Sequence, residues 1–215
     1  MSDSIGDNVG WTPKLEEYFA STAEKAHCLS WSHKQAEGFY SWRKTLIDLP
    51  VIVLSSVVGF LSVGTSTMFA GHETMASISL GIVSLVVSVL NTTGSYFGWS
   101  KRAEGHRISA IQYGKLYRFL SIEMSLPRDE RMTPADLLKN TRESYDRLQE
   151  VSPLIPVEIV SMFQRKFGNE KEISKPEEMN GLEKVEVFVA TPSGRDTRQT
   201  ELEGPMSPVK EPYTA

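Results

Sequence analysis

Between Asp48 and Lys101 the chain carries one formal charge, Glu73, beside His72 in the short segment Ala70-Gly71-His72-Glu73-Thr74. No other feature narrows the fold so much. The uncharged runs on either side cover residues 49–72 and 74–100. At about 1.5 Å rise per helical residue, each is long enough for a hydrocarbon layer of about 30 Å. They read as two transmembrane helices, at about 49–69 and 75–97, joined by a tight turn. The alternative is a hairpin buried in a soluble bundle. Two consecutive runs of this length without Lys, Arg or Asp argue against it.

The chain average hides this. Mean hydropathy is −0.25 over 215 residues because both flanks are polar. The net charge of −4 and the absence of a basic cluster with interleaved aromatics exclude a nucleic-acid partner from the expectation. The single Cys28 leaves no internal disulfide framework. Met1 to Trp11 has neither a basic start nor an apolar core, so no cleaved signal is expected and the first span serves as its own insertion signal.

Charges beside the spans set the orientation. Lys34, Arg43 and Lys44 precede the first, and Lys101, Arg102, Arg107, Lys115 and Arg118 follow the second, while the turn has no Lys or Arg. The positive-inside rule then places both termini in the cytosol. Trp42, Phe69, Tyr96, Phe97 and Trp99 read as interfacial anchors.

The flanks read as helices. Residues 1–11 are a flexible lead-in, and Thr12-Pro13 starts a helix with Thr12 as its cap. Leu15, Phe19, Thr22, Ala26, Leu29, His33, Ala36 and Tyr40 then alternate spacings of four and three, a coiled-coil-like seam built partly from small residues. Pro50 predicts a break or kink where this helix meets the first span. Beyond the second span, Ala110, Tyr113, Tyr117, Leu120 and Met124 repeat the pattern, with Ile108, Ile111, Phe119 and Ile122 widening the apolar face. The two flanking helices are expected to pack antiparallel as a stalk. Thr133-Pro134 opens a helix to about Val151, and Pro156 opens another that ends at Gly168 as a C′ residue. From residue 169 to 215 the composition turns to Pro, Glu and Lys, which predicts a disordered tail, with Val185–Val189 a lone strand-like run. The tail is a candidate site for a protein partner, and Ser193, Thr197 and Ser207 in it are candidate phosphate acceptors. The whole is an all-α membrane protein: a two-helix transmembrane hairpin, long flanking cytosolic helices and a disordered C-terminal tail.

Inside the spans a polar stripe stands out. Ser77, Gly81, Ser84, Ser88, Asn91 and Ser95 fall on one helix face, and Ser55, Gly59, Ser62 and Ser66 fall on one face of the first span. Two readings compete. Small residues allow close helix packing with Ser and Asn hydrogen-bonding across, and the simplest version packs the hairpin on itself. Alternatively the stripes wall an aqueous pore in a ring of hairpins. Asn91 is the most polar group at depth.

No catalytic, cofactor or metal set emerges. His27, His33, His106, Cys28, Glu24 and Glu104 lie near the proposed membrane surface but lack metal-ligand spacing, and interhelical hydrogen bonds are expected of them. The chain has no nucleophile elbow, phosphate-binding loop or dinucleotide fingerprint.

The pattern resembles the SLATT family, two-transmembrane proteins with flanking cytosolic helices, and especially a version found in large DNA viruses. The residues that carry the resemblance begin with Ala23-Glu24-Lys25-Ala26, Cys28, Trp31, His33 and Tyr40. At the first span they are Leu49-Pro50-Val51-Ile52, Leu54-Ser55 and Gly59; after the second come Glu104, His106-Arg107, Glu123, Leu126-Pro127 and Arg131. The last block is Tyr145-Asp146-Arg147-Leu148, Glu150, Ser152-Pro153 and Ile155-Pro156. The resemblance implies one all-helical module over about residues 12–168. In bacterial conflict systems such modules look like pore-forming effectors triggered by nucleotide-signal sensors. Three functions are therefore weighed. The first is an oligomeric, pore-forming membrane protein. The second is a structural or scaffolding membrane protein whose tail recruits partners. The third, a membrane enzyme, lacks paired catalytic groups.

Overall fold

A computed structural model describes residues 10–180 and 182, and the regular structure among them is all helical. In chain order the elements are α1 (Pro13–Val63), α2 (Thr65–Met68), α3 (Glu73–Phe97), α4 (Trp99–Ser125), α5 (Pro134–Val151), α6 (Val157–Phe167) and α7 (Glu177–Asn180). Two stretches, one in α1 and one starting at Glu73, are long and apolar enough to cross a membrane.

α1 starts as its sequence dictates. Thr12 Oγ1 accepts the Leu15 N–H at 3.2 Å, and Pro13 occupies the first turn, where its missing N–H costs nothing. The helix then runs for 51 residues, about 76 Å. The break expected at Pro50 does not occur. A proline forfeits one helical hydrogen bond, whereas ending the helix there would orphan several backbone groups on each side. Partners along both halves, α4 on one and α3 on the other, hold α1 in one piece.

α1 and α4 pack antiparallel. His27 stacks on Tyr117 at 4.3 Å, Ser30 Oγ donates to the Ala110 carbonyl at 2.8 Å, and His33 meets His106 at 2.8 Å. Further along, Gly94 of α3 approaches the Ile47 side chain. The expected seam is the buried one: Phe19, Thr22, Ala26, Leu29, His33 and Ala36 are all inside. On α4 the expected Tyr113 and Leu120 are buried, and the buried line continues through Ala103, His106, Ser109 and Leu116. Ile108, Ile111 and Ile122, expected to widen its apolar face, are exposed. α4 touches α1 and α5 only through part of its circumference, and Gly114 lies close against Ser30 of α1.

α5 returns along α4. Leu137 and Leu148 join the core with Phe19, Leu29, Tyr113, Leu116 and Leu120. Tyr145 meets Tyr113 edge-on at 6.3 Å, and Pro153 lies against Gly105. At the far end Glu16 clasps the turn before α5: Arg128 Nη2 donates to it at 2.6 Å, and Arg131 Nη1 donates to its other oxygen while Arg131 Nε caps the Leu126 carbonyl at 2.7 Å. These two guanidinium groups hold the Glu16 carboxyl down at about 2.

Two expectations about the C-terminal part are corrected. Gly168 is right-handed (φ −58°, ψ −35°), not a left-handed C′ residue, because the chain continues one more turn after it. Residues 169–180, expected to begin a disordered tail, pack on the bundle. Ser174 N–H donates to Glu24 Oε2 at 2.7 Å, Lys175 Nζ to the Gly168 carbonyl at 2.9 Å, and Pro176 and Met179 are buried. The segment is held by long-range polar bonds, which leave no periodicity to read. Residues 1–9, the Val185–Val189 run and the three candidate phosphate acceptors lie outside the described residues.

Candidate functional site

The apolar hairpin closes through aliphatic side chains. Leu54, Val58 and Leu61 of α1 and Ala76, Leu80, Val83, Val87 and Leu90 of α3 are half-covered, as are Val51, Thr93 and Gly94 nearer the bundle. The ten stripe residues do not take part: Ser55, Gly59, Ser62, Ser66, Ser77, Gly81, Ser84, Ser88, Asn91 and Ser95 are all exposed. A Cβ added to Gly59 or Gly81 would meet nothing within 4 Å. Packing of the hairpin on itself through the stripe is thereby corrected. Aliphatic side chains fill the gap between two helices, whereas Ser and Gly would leave voids there unless the backbones approached much closer.

The stripes nevertheless meet on one side. On α1 each stripe position follows a seam position by one residue (54 then 55, 58 then 59, 61 then 62), and on α3 likewise (80 then 81, 83 then 84, 87 then 88, 90 then 91). One residue turns a helix by about 100°. The two helices run in opposite directions and face each other across the seam, so equal turns in the same helical sense bring both stripes to the same flank of the hairpin. The residues one place before the seam give the other flank: Val53, Val57 and Phe60 with Met75, Ile82, Val86 and Val89, all exposed and apolar, and Ser79, its one hydroxyl. Hydroxyls off the polar flank fold back on their own helix, Ser56 to the Ile52 carbonyl at 2.8 Å and Ser79 to the Met75 carbonyl at 2.9 Å. The hairpin thus has one Ser/Gly/Asn flank and one Val/Ile/Phe/Met flank.

The polar residues of the stalk divide into separate small sites. His33 and His106 are buried and share a hydrogen bond between their Nδ1 atoms, one ring donating and the other accepting. Tyr113 stacks on His33 at 5.5 Å and Tyr40 on His106 at 5.4 Å. Burial pushes both imidazoles down to about 4, helped by the neighbouring ring for His33 and by Arg102 for His106. His27 is on another face with Tyr117, Glu104 is tied to Arg107 at 2.7 Å, and Glu24 holds Ser174. Burial, with Glu24 nearby, pushes the Cys28 thiol up to about 11, so it is no nucleophile at neutral pH. Among the described residues no group of three or more His, Cys, Asp or Glu is placed to hold a metal ion.

One feature is not anticipated from the sequence. A pocket of about 110 Å³ lies between α1 and α6, walled by Cys28, Trp31, Phe163, Phe167 and Ile173. Trp31 meets Phe163 and Phe167 edge-on at 5.8 and 5.2 Å. The alternation of α6 points to a buried face, but Ile173 belongs to the segment expected to be tail. Compared with protein-family models, curated proteins and solved structures, the chain matches none.

Proposed function

We propose that the chain is an integral, non-enzymatic membrane protein whose hairpin crosses the bilayer twice, with both termini cytosolic, and whose copies assemble polar flank to polar flank into a permeabilising pore. The observation that carries this reading is the two-sided hairpin. Its small polar residues converge on one flank and are left unused by its own packing, while its aliphatic residues occupy the other. In lipid the apolar flank is solvated by acyl chains, and the Ser/Gly/Asn flank gains most from contact with its own kind or with a water-filled lumen. The likeness to pore-forming SLATT modules belongs to the same proposal. In it the α1–α4–α5 bundle is the cytosolic part that governs assembly.

The test is ion flux across liposomes holding the purified chain, with oligomers confirmed by crosslinking. Flux that disappears in Gly81→Leu and Asn91→Leu, with the hairpin still inserted, is the expected result. Oligomers that conduct nothing at any protein density would remove the pore. A second reading then stands, a scaffold of tightly packed hairpins, and one observation favours it. None of the ten stripe residues is ionisable, whereas conducting pores often set selectivity with charged rings.

A further inference from the structure

The end of the bundle nearest the hairpin is held by a contact that acid can undo. His33 of α1 and His106 of α4 are both buried, with their Nδ1 atoms 2.8 Å apart. Such a bond needs one nitrogen to donate and the other to accept. A first proton leaves it in place, as an imidazolium donating to a neutral ring. A second leaves two N–H groups pointing at each other with no acceptor between them.

The groups facing the pair differ on its two sides. Tyr40 of α1 stacks on His106, and Tyr113 of α4 stacks on His33 with Tyr145 of α5 behind it. Arg102 of α4 lies over the Tyr40 ring at 5.9 Å, which puts a cation beside His106. His33 also borders a cavity of about 290 Å³ that α7 lines with Glu177 and Glu178, both exposed. The end of α5 and the loop after it bring Gln149, Ser152 and Pro153 to the same cavity, none of them ionisable. A charged His33 therefore has room and two carboxylates to turn toward, whereas a charged His106 has Arg102 against it.

Little else closes this end. From the pair toward the hairpin, Ala36 and Ala103 are the remaining buried residues of α1 and α4, and an alanine buries little apolar surface. In the other direction lie Phe19, Leu29, Leu116 and Leu120, joined by Leu137 and Leu148 of α5. The far end is clasped through Glu16, whose carboxyl stays ionised down to about pH 2. Gly98, the one residue between α3 and α4, has a left-handed φ of 59°, and without a Cβ it can take up a change in the angle between those helices.

We infer that the His33–His106 contact is an acid-released latch: doubly protonated, it parts, His33 turns into the cavity toward Glu177 and Glu178, and α4 draws away from α1 at the hairpin end of the bundle while the far end stays closed. The latch goes beyond the pore, since it belongs to the bundle and holds whether the hairpins conduct or only pack. Burial keeps both imidazoles near 4 in the closed bundle, against 6.5 when free. Between those values each unit of falling pH favours the released form by up to about tenfold per imidazole, or about a hundredfold for two.

Pairs of spin-labelled cysteines read the two ends by pulsed electron paramagnetic resonance, in the full-length chain with Cys28→Ala in phosphatidylcholine vesicles. Lys34→Cys with Ile108→Cys spans the bundle beside the histidines, and Ala20→Cys with Ile122→Cys spans the far end, all four positions being exposed. Lowering the pH from 7 to 4.5 should lengthen the first distance reversibly, in a transition that takes up two protons, and leave the second unchanged. In His33→Leu with His106→Leu the first distance should stay short at both pH values. Glu177→Gln with Glu178→Gln leaves the core intact, because both side chains are exposed, and should move the transition to lower pH. A first distance unchanged at pH 4.5 overturns the latch, as does a transition that the double leucine variant still shows or that the glutamine pair leaves where it was. Lengthening of both distances together is unfolding of the whole bundle and overturns it too.

Discussion

The two halves of α1 belong to one continuous helix and obey opposite rules. In the bundle half every third or fourth side chain is buried, Phe19 through Ala36, and the covered residues include Thr22, Ser32 and His33. In the hairpin half no residue is buried, though the side chains are far more apolar. Burial in the first half is set by the helices that surround it, and small or polar residues are acceptable where they permit close approach or find a hydrogen bond. In the second half only one neighbour is present, and the remaining surface is sorted into polar and apolar flanks. A helix interior thus tells little about its surroundings until its partners are counted.

The contrast can be broken most forcefully in the bundle. Phe19→Ala removes a fully buried ring from the centre of the core. It should destabilise the bundle by about 3–5 kcal/mol, measured by chemical denaturation, and leave hairpin extraction by alkaline carbonate unchanged. If insertion fails along with the bundle, the halves are not independent.

Next comes pH. His33 and His106 titrate near 4 when folded and near 6.5 when unfolded, so the unfolded chain binds more protons between those values. Stability from the pair is therefore full above pH 6.5 and falls as pH drops toward 4, by on the order of a few kcal/mol. Arg102, Tyr40 and Tyr113 face the rings, and Glu177 and Glu178 line the cavity beside His33. Unfolding curves at pH 7 and pH 4.5 should differ, and the double variant His33→Leu, His106→Leu should lose most of that difference.

On the hairpin, Asn91→Leu and Gly81→Leu should leave bundle stability unmoved, because neither position touches the fold. Asn91→Leu should weaken association between copies by about 1–2 kcal/mol, the scale of one interhelical hydrogen bond in lipid, and Gly81→Leu should weaken it by holding the backbones apart. Crosslinking yield against protein-to-lipid ratio measures it. Association that is unaffected would assign the polar flank to lipid. The smallest effect belongs to Glu16→Gln at the solvent edge. Its carboxyl is held near 2, so what the clasp with Arg128 and Arg131 contributes is present above about pH 4.5 and lost as pH falls toward 2. The variant should show a slightly flatter acid limb and little change at pH 7.

Much was legible because the relevant signals are local. Thr12-Pro13 and Thr133-Pro134 start helices through their own side-chain caps: Thr133 Oγ1 accepts the Asp136 N–H at 3.3 Å as its spacing predicts. The seam of α1 was legible because a four-three repeat has only one face. The line on α4 was legible in part: Tyr113 and Leu120 are buried and Tyr117 and Met124 pack against the core, whereas Ile108, Ile111 and Ile122 are exposed because isoleucine marks hydrophobicity, not proximity. Residues 169–180 were illegible because one of their anchors, Glu24, lies in a helix 150 residues away in sequence. The positive φ of Gly71 (84°) and Gly98 (59°) fits the hairpin turn and the joint between α3 and α4, where a side chain would be strained.

The chain's amino acids by themselves determined which of the longer segments are helical, which are free of charge and which residues share a face, since each depends only on neighbours within a turn or two. Only the tertiary structure decided that the polar stripes lie outside the hairpin seam and on a common flank. Helical spacing defines a face but not its direction, and the direction is chosen by whichever side chains fill the space between two helices best.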